Sequence, residues 1–305
     1  MATTSSKQPR KQQDPEALLE VVDPRWLLKA LGVTIAAAAV LSYLSLCLLL
    51  YQGSWQLMLH PSTTLGALPS VPFQAVRFDV AATGTPRLTG WWIPAESPTT
   101  RTILFLHDGS GSLSNAVPKL NLLHGTGVNI FAIDYRGFGQ SDPTHPNELR
   151  MTEDAAAALD YLVNTRHIPN LQIAAYGEGL SSSLASQLAD GYKLPAIIID
   201  NPDPDAYSRA VSGKKSQLLP MHLIVREHFD VRRGLMNPAP AKLLLANSSL
   251  PGGEDRTATN QAMFKSALGA KMTVTFDTGD ASQAYVQSVT RFLDEYVPAS
   301  PETIQ

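Results

Sequence analysis

Short apolar runs alternate with amphipathic stretches from residue 75 onward, and this alternation predicts a mostly parallel sheet flanked by helices. Eight runs are predicted to be strands: Ala75–Val80, Arg87–Ile93, Thr102–His107, Asn129–Ile133, Gln172–Tyr176, Ala196–Ile199, Lys242–Ala246 and Met272–Phe276. Helices are predicted over Leu113–His124, Thr152–Thr165, Leu180–Gly191, Thr257–Leu268 and Gln283–Tyr296. A looser helical pattern over Tyr207–Arg226 predicts an insert at about residues 203–238.

The N-terminal region contains an apolar run without a charge from Ala30 to Tyr51. As a helix this run measures about 33 Å, enough to cross the roughly 30 Å hydrocarbon layer of a membrane. The basic residues before it are Lys7, Arg10, Lys11, Arg25 and Lys29, whereas the first Lys or Arg after it is Arg77. This bias predicts a single-pass anchor in the cell membrane, with a cytoplasmic N-terminus and an extracytoplasmic folded domain. A cleaved signal peptide and a buried helix of a soluble protein are the alternatives.

Length and composition limit the possible number of domains and the possible classes of partner. The 305 residues, 44% hydrophobic and 17% charged, suffice for one large α/β domain with a short appendage. The predicted division is a disordered cytoplasmic tail (1–29), a membrane helix (30–51), a linker (52–74), a folded domain (75–297) and a C-terminal tail (298–305). A net charge of −3 argues against a nucleic-acid partner, and one cysteine excludes an intrachain disulfide.

Several segments together resemble those of a known enzyme family. They are Tyr51–Pro61, Gly90–Pro94, Phe105–Gly111 with its His-Asp-Gly loop, and Ile133–Ser141 with the sequence IDYRGFGQS. Over residues 51–297 the chain resembles the membrane-anchored α/β-hydrolases described as serine aminopeptidase-like. The resemblance implies an α/β-hydrolase fold with an eight-stranded sheet, and a lid at the insert of residues 203–238. The implied activity is hydrolysis of esters, thioesters or peptides by a Ser-Asp-His triad.

The triad positions implied by this resemblance carry other residues. Residues 172–187 read as a strand, a glycine turn and a small-residue helix, the setting of a G-x-S-x-G nucleophile elbow, but Gly179 stands at the serine position. Glycine keeps the turn and deletes the hydroxyl that would attack an acyl carbon. Leu250 replaces the acid and Asp280 replaces the histidine. The last histidine in the chain is His228, and a carboxylate with its usual pKa of about 4 is a poor general base at neutral pH.

The predicted oxyanion hole is also altered. Its donors would be the N–H of Leu180 and one N–H from the loop that ends at Gly109, but Asp108 and Glu178 adjoin them. Ionised carboxylates there would oppose a developing oxyanion. The alternative is that both acids point to solvent or cap a helix start, where acids are favourable.

Other polar residues are candidates for relocated chemistry. Ser181 or Ser182 could act as a displaced nucleophile with His107 as base, but Ser181 is expected to pack in the contact between helix and sheet. His107 is expected to be a structural hydrogen-bonding residue. His222 and His228 are too isolated to indicate a metal site. Neither a metal nor another cofactor is predicted.

These residues predict a membrane-anchored protein with a hydrolase fold and a degenerate triad, inactive or strongly impaired as a hydrolase. Its retained pocket or surface would bind a small acyl or apolar ligand or a protein partner. Two alternatives stay open. One is an active esterase, thioesterase or peptidase with relocated catalytic residues, and the other is a structural subunit of an envelope complex.

Overall fold

The computed structural model describes residues 23–80, 87–212, 218–247, 256–276 and 281–299. The chain divides into two compact units, residues 1–49 and residues 50–305. Helix α1 (Pro24–Gln52) is long and apolar enough to cross a membrane, a test that a signal sequence also passes. It begins six residues before the predicted run, since Trp26, Leu27 and Leu28 extend the apolar pattern and proline suits the first turn of a helix. The predicted disordered tail lies mainly outside the described residues.

The described part of the folded unit contains ten strands. They are β1 (His60–Pro61), β2 (Gln74–Phe78), β3 (Leu88–Ile93), β4 (Thr102–Leu106), β5 (Ser110–Gly111), β6 (Asn129–Asp134), β7 (Ile173–Glu178), β8 (Ala196–Asp200), β9 (Ala241–Asn247) and β10 (Lys271–Phe276). Eight of them form one sheet in the order β10-β9-β8-β7-β4-β6-β3-β2. Strand β3 runs opposite to the other seven strands of this sheet. The predicted eight-stranded, mostly parallel sheet is confirmed.

Helices cover both faces of the sheet. After α1 the described helices are α2 (Leu113–His124), α3 (Glu148–Asp160), α4 (Ser181–Tyr192), α5 (Ala206–Val211), α6 (Met221–Ile224), α7 (Val231–Leu235), α8 (Thr257–Lys265) and α9 (Ala281–Tyr296). Buried side chains of α2 and α9 join the strands in one apolar core, while α3 and α4 pack together elsewhere on the sheet. Helix α3 starts earlier than predicted because the Asn147 side chain caps it by accepting the N–H of Arg150.

The insert at residues 203–238 differs from the prediction of one looser helical stretch over Tyr207–Arg226. Its described part holds the short helices α5, α6 and α7, and residues 213–217 lie outside the described ranges. Pro220 precedes α6, and the side chain of Asp230 caps α7 by accepting two backbone N–H groups. These local start signals divide the segment into short helices rather than one long helix.

Candidate functional site

The turn from β7 into α4 is built by glycines at the carboxyl edge of the sheet. Gly179 follows the last residue of β7 with φ of +55°, in the left-handed region, and its N–H donates to the carbonyl of Asp200 at 2.9 Å. A Cβ on Gly177 would meet the backbone of Ser181 and Ser182, so β7 and α4 approach closely here. The strand-turn-helix geometry of a nucleophile elbow is therefore present around Gly179.

The space beside Gly179 is occupied by a carboxylate. A Cβ added to Gly179 would overlap the side chain of Asp108, whose Oδ1 accepts the N–H of Leu180 at 2.9 Å. The N–H of the adjacent Gly109 is a second influence that lowers the pKa of this carboxyl group. Leu180 and the loop that ends at Gly109 carry the N–H groups from which the resemblance would build an oxyanion hole, and the N–H of Leu180 is already bonded to Asp108.

Asp108 changes the electrostatics at this end of the sheet. Burial raises the pKa of its carboxyl group, the N–H groups of Leu180 and Gly109 lower it, Asp203 raises it and Arg256 lowers it. Of the two alternatives for Asp108, capping the start of α4 is the one observed. An ionised carboxylate at this place repels a second anion, so the elbow is unsuited to stabilising a tetrahedral oxyanion.

For Glu178, the alternative that the acid points to solvent is wrong. Its carboxylate pairs with the ammonium of Lys119 in α2, which also pairs with Asp200 at the end of β8. The exposed fraction of the side chain is 22% for Lys119, 26% for Glu178 and 5% for Asp200. Although burial opposes it, the charges of Asp200 and Glu178 raise the pKa of Lys119 well above its usual value, so the amine stays charged.

Two tyrosines extend this ion-paired cluster into the core. The hydroxyl of Tyr176 donates to the Asp200 carboxylate, and the hydroxyls of Tyr176 and Tyr285 lie 2.6 Å apart. Burial and the charge of Asp200 raise the pKa of both tyrosines, so both stay protonated. This cluster was not predicted from the sequence. The one signal was Lys119 beside the apolar stripe of α2.

The serines after the elbow are committed to backbone hydrogen bonds. Ser181 donates to the carbonyl of His107 at 2.5 Å and accepts from the hydroxyl of Tyr135 at 2.9 Å. Ser182 donates to the carbonyl of Gly177 at 3.0 Å, and both serines are fully buried. These contacts agree with the packing role expected of Ser181, and among the described residues no hydrogen bond joins its hydroxyl to an imidazole nitrogen.

His107 is enclosed rather than presented to a substrate. Its Nδ1 donates to the carbonyl of Asp108 at 2.7 Å, and its Nε2 lies 3.6 Å from the Asp134 carboxylate. The ring packs against Tyr135 and Phe138. Burial lowers the pKa of His107, so the imidazole is neutral at physiological pH.

Replacing Ser181 by Ala is expected to lower the free energy of unfolding by about 1–3 kcal/mol, because the carbonyl of His107 and the hydroxyl of Tyr135 lose a buried partner. Urea unfolding of the detergent-solubilised chain measures this change. Ser208→Ala in α5, on the exposed surface, is the control and should be nearly neutral. A Ser181→Ala variant with unchanged stability would contradict the structural role.

The acid and histidine positions of the resemblance lie beyond what the structure describes. Leu250 comes in the segment after β9 and Asp280 in the segment after β10, and both lie outside the described residues.

All seven histidines of the chain lie within the described ranges. His60 was not among the predicted site residues; it faces Ser110 across the β1–β5 pair, and both residues line the cavity described next. No hydrogen bond joins these two side chains in the described structure.

A cavity of about 630 Å³ adjoins the elbow. Its apolar lining includes Leu57, Met58, Leu180, Ala210 and Met221, and its charged lining is Asp108, Asp203, Arg209 and Arg256. Asp203 pairs with Arg209 and, at 3.2 Å, with Arg256. The volume falls in the range of pockets that hold small molecules. Among the described residues, no group of three His, Cys, Asp or Glu side chains is arranged to hold a metal ion.

Comparison with solved structures identifies the architecture. An esterase from Pyrococcus furiosus superposes with a TM-score of 0.59 at 15% identity, covering 79% of this chain and 99% of that one. An alpha-beta hydrolase from Vibrio vulnificus superposes with a TM-score of 0.51 at 22% identity, covering 68% of this chain and 75% of that one. The folded unit has the α/β-hydrolase fold. Its β7–α4 turn, in the middle of the sheet, is the elbow position of this fold.

Sequence comparison adds relatives that match only part of the chain. An uncharacterized protein from Mycobacterium tuberculosis is 26% identical over 164 residues, which cover 53% of this chain and 57% of that protein. Protein bem46 of Schizosaccharomyces pombe is 28% identical over 113 residues, 36% of this chain and 38% of bem46. The chain thus spans less than two thirds of these relatives. No protein-family profile matches it.

Proposed function

We propose that this chain is a membrane-anchored binding protein with an α/β-hydrolase fold that lacks hydrolase activity. The observation that carries the proposal is the position of the Asp108 carboxylate. It accepts the N–H of Leu180 at 2.9 Å and fills the space that a side chain at Gly179 would enter. Position 179 therefore offers no hydroxyl to act as nucleophile, and the N–H of Leu180, one donor of an oxyanion hole, is already used by the Asp108 carboxyl group.

Anchoring is part of the same proposal. Helix α1 is the anchor, it stays uncleaved, and the N-terminus is cytoplasmic while the folded unit is extracytoplasmic. The length and apolar composition of α1 support the span, and the basic residues that precede its apolar run support the orientation.

A gain-of-function series tests the absence of catalysis. The full chain and two repaired variants are assayed with p-nitrophenyl acetate in detergent. The first carries Gly179→Ser, Leu250→Asp and Asp280→His, and the second adds Asp108→Gly. We expect no hydrolysis above buffer for the natural chain and the fastest hydrolysis for the second variant, because only it has free oxyanion donors. Hydrolysis above buffer by the natural chain, at a rate equal to that of the second variant, would refute the proposal.

The cavity beside the elbow supports a binding role for a small acyl compound. Decanoic acid is the probe, and native mass spectrometry of the detergent-solubilised chain is the measurement. A one-to-one adduct is expected for the natural chain and should be weakened in Ala210→Trp, because Ala210 lines the cavity and an indole group there takes up part of its space. Leu268→Trp, at an exposed site, is the control and should keep the adduct. Equal binding by both variants would place the ligand elsewhere.

A further inference from the structure

We infer that one face of the folded unit is seated on the lipid bilayer. This surface, called the α6 face below, consists of residues 51–57, Leu218, α6 and Arg226. The inference rests on the proposed anchoring and deepens it, because it assigns a membrane contact to the folded unit itself and a source to the ligand of the cavity.

The α6 face is held beside the place where the chain leaves the apolar helix. The guanidinium of Arg226 lies 5.1 Å from the centroid of the Tyr51 ring. Ser54 donates to the carboxylate of the buried Glu227 at 3.3 Å. These contacts all lie within residues 50–305, so they are internal to the folded unit. The segment that follows α6 is thereby fixed within a few ångströms of residues 51–54.

Position along the chain places these residues at the membrane surface. Tyr51 ends the apolar run, and Trp55 follows one helical turn later. Tyrosine and tryptophan are favoured at the level of the lipid headgroups. Because the ring of Trp55 also stacks on His145 at 5.4 Å, the exit segment is bound to the folded unit at a second point. Side chains that neighbour this segment therefore lie close to the headgroups.

The α6 face exposes the side chains that a bilayer surface takes up. Met221 and Ile224 of α6 are buried in the folded unit, whereas Leu223 is 67% exposed and the nearby Leu218 is 79% exposed. Scattered exposed leucines need no explanation, but these lie beside the membrane exit. Exposed Arg226 adds a cation for lipid phosphates. Apolar and basic side chains together match an interfacial surface.

The cavity borders this face. Leu57 of the exit segment and Met221 of α6 both line it. A ligand that enters the cavity from the α6 face comes from the lipid layer. The ligand class that we assign is therefore the acyl chain of a membrane lipid. The Asp203 and Arg256 pair in the same cavity would then face the polar end of such a lipid.

Nitroxide labels on the full chain in lipid vesicles test this placement. The lone cysteine is removed by Cys47→Ser, and single labels are introduced by Leu223→Cys, Leu171→Cys or Val40→Cys. Leu171 is the matched control, because it is 55% exposed but precedes β7, at the edge of the sheet opposite the elbow. Accessibility to oxygen, which concentrates in lipid, is compared with accessibility to a water-soluble nickel chelate.

The expected result is a ratio of oxygen to nickel accessibility several-fold higher at position 223 than at 171. Equal and low ratios at positions 223 and 171, together with a high ratio at position 40, would overturn the inference but agree with the proposed membrane anchor. A water-like value at 40 would instead refute the proposed anchoring. Strong spin-spin broadening at 223 without lipid contact would show that a second copy covers the α6 face, and it too would overturn the inference.

Discussion

Replacing Lys119 by Met is expected to lower the free energy of unfolding by about 3–5 kcal/mol, the largest effect foreseen for a single substitution here. Met keeps most of the apolar stem and removes the cation. The carboxylates of Glu178 and Asp200, both more than 70% buried, would then share a site without their common partner. Removing one member of a buried ion cluster leaves uncompensated charge, which is more damaging than removing the whole cluster.

The control for this prediction neutralises the cluster. Lys119→Met combined with Glu178→Gln and Asp200→Asn should recover most of the lost stability, because no buried charge then lacks a partner. Urea unfolding of the detergent-solubilised full chain, followed by tryptophan fluorescence, provides the comparison. A triple variant as unstable as Lys119→Met would show that lost packing, not unpaired charge, causes the effect.

The cluster also explains how the elbow is held without catalytic residues. Glu178 immediately precedes Gly179, and the carbonyl of Asp200 accepts the N–H of Gly179 at 2.9 Å. Lys119 therefore ties together the two strand ends that flank the turn. The ion pairs stabilise the geometry of the elbow, which survives in this chain although the nucleophile does not.

Replacing Gly179 by Ala is expected to lower the free energy of unfolding by about 2–4 kcal/mol. One cause is that alanine is strained in the left-handed backbone conformation, and the other is that the Asp108 carboxylate loses its hydrogen bond. The new Cβ would overlap Asp108, which must then leave the N–H of Leu180. The same unfolding measurement tests this expectation.

Two other glycines separate these contributions. Gly127 has φ of +74° with nothing within 4 Å of an added Cβ, so Gly127→Ala should show the backbone cost alone, about 1–2 kcal/mol. Gly191 lies in α4 with open space around it, and Gly191→Ala should stabilise the helix by up to about 1 kcal/mol. The double variant Gly179→Ala with Asp108→Ala should lose less unfolding free energy than the sum of the losses of the two single variants. Additive effects would mean that the two side chains do not compete for space.

Local pattern was sufficient to predict the sheet. Each of the eight predicted strands is present, because β-rich runs bounded by turns carry their own signal. The paired strands β1 and β5 were missed, since two-residue strands are too short to show a pattern. For the same reason α5 and α6 were predicted as one looser helical stretch, and α7, of five residues, was missed.

The site was predictable only in part. The glycine at position 179 and the flanking acids are visible in the sequence, but their partners are not. Asp108 and Leu180 are separated by 72 residues, and Lys119 and Asp200 by 81. No local periodicity links such pairs, so the occupied donors and the ion-paired cluster emerge only from the fold. The acid and histidine positions, Leu250 and Asp280, remain predictions from the sequence.

The central claim is that no serine of this chain acts as an acyl nucleophile. The most direct measurement is the intact mass of the purified full chain after treatment with a fluorophosphonate, with Ser110→Ala and Ser181→Ala variants assayed in parallel. We predict an unchanged mass for the natural chain, because its elbow has no hydroxyl and the N–H of Leu180 is bonded to Asp108. A stoichiometric adduct that maps to one serine, and that is lost when that serine is replaced, would contradict the account.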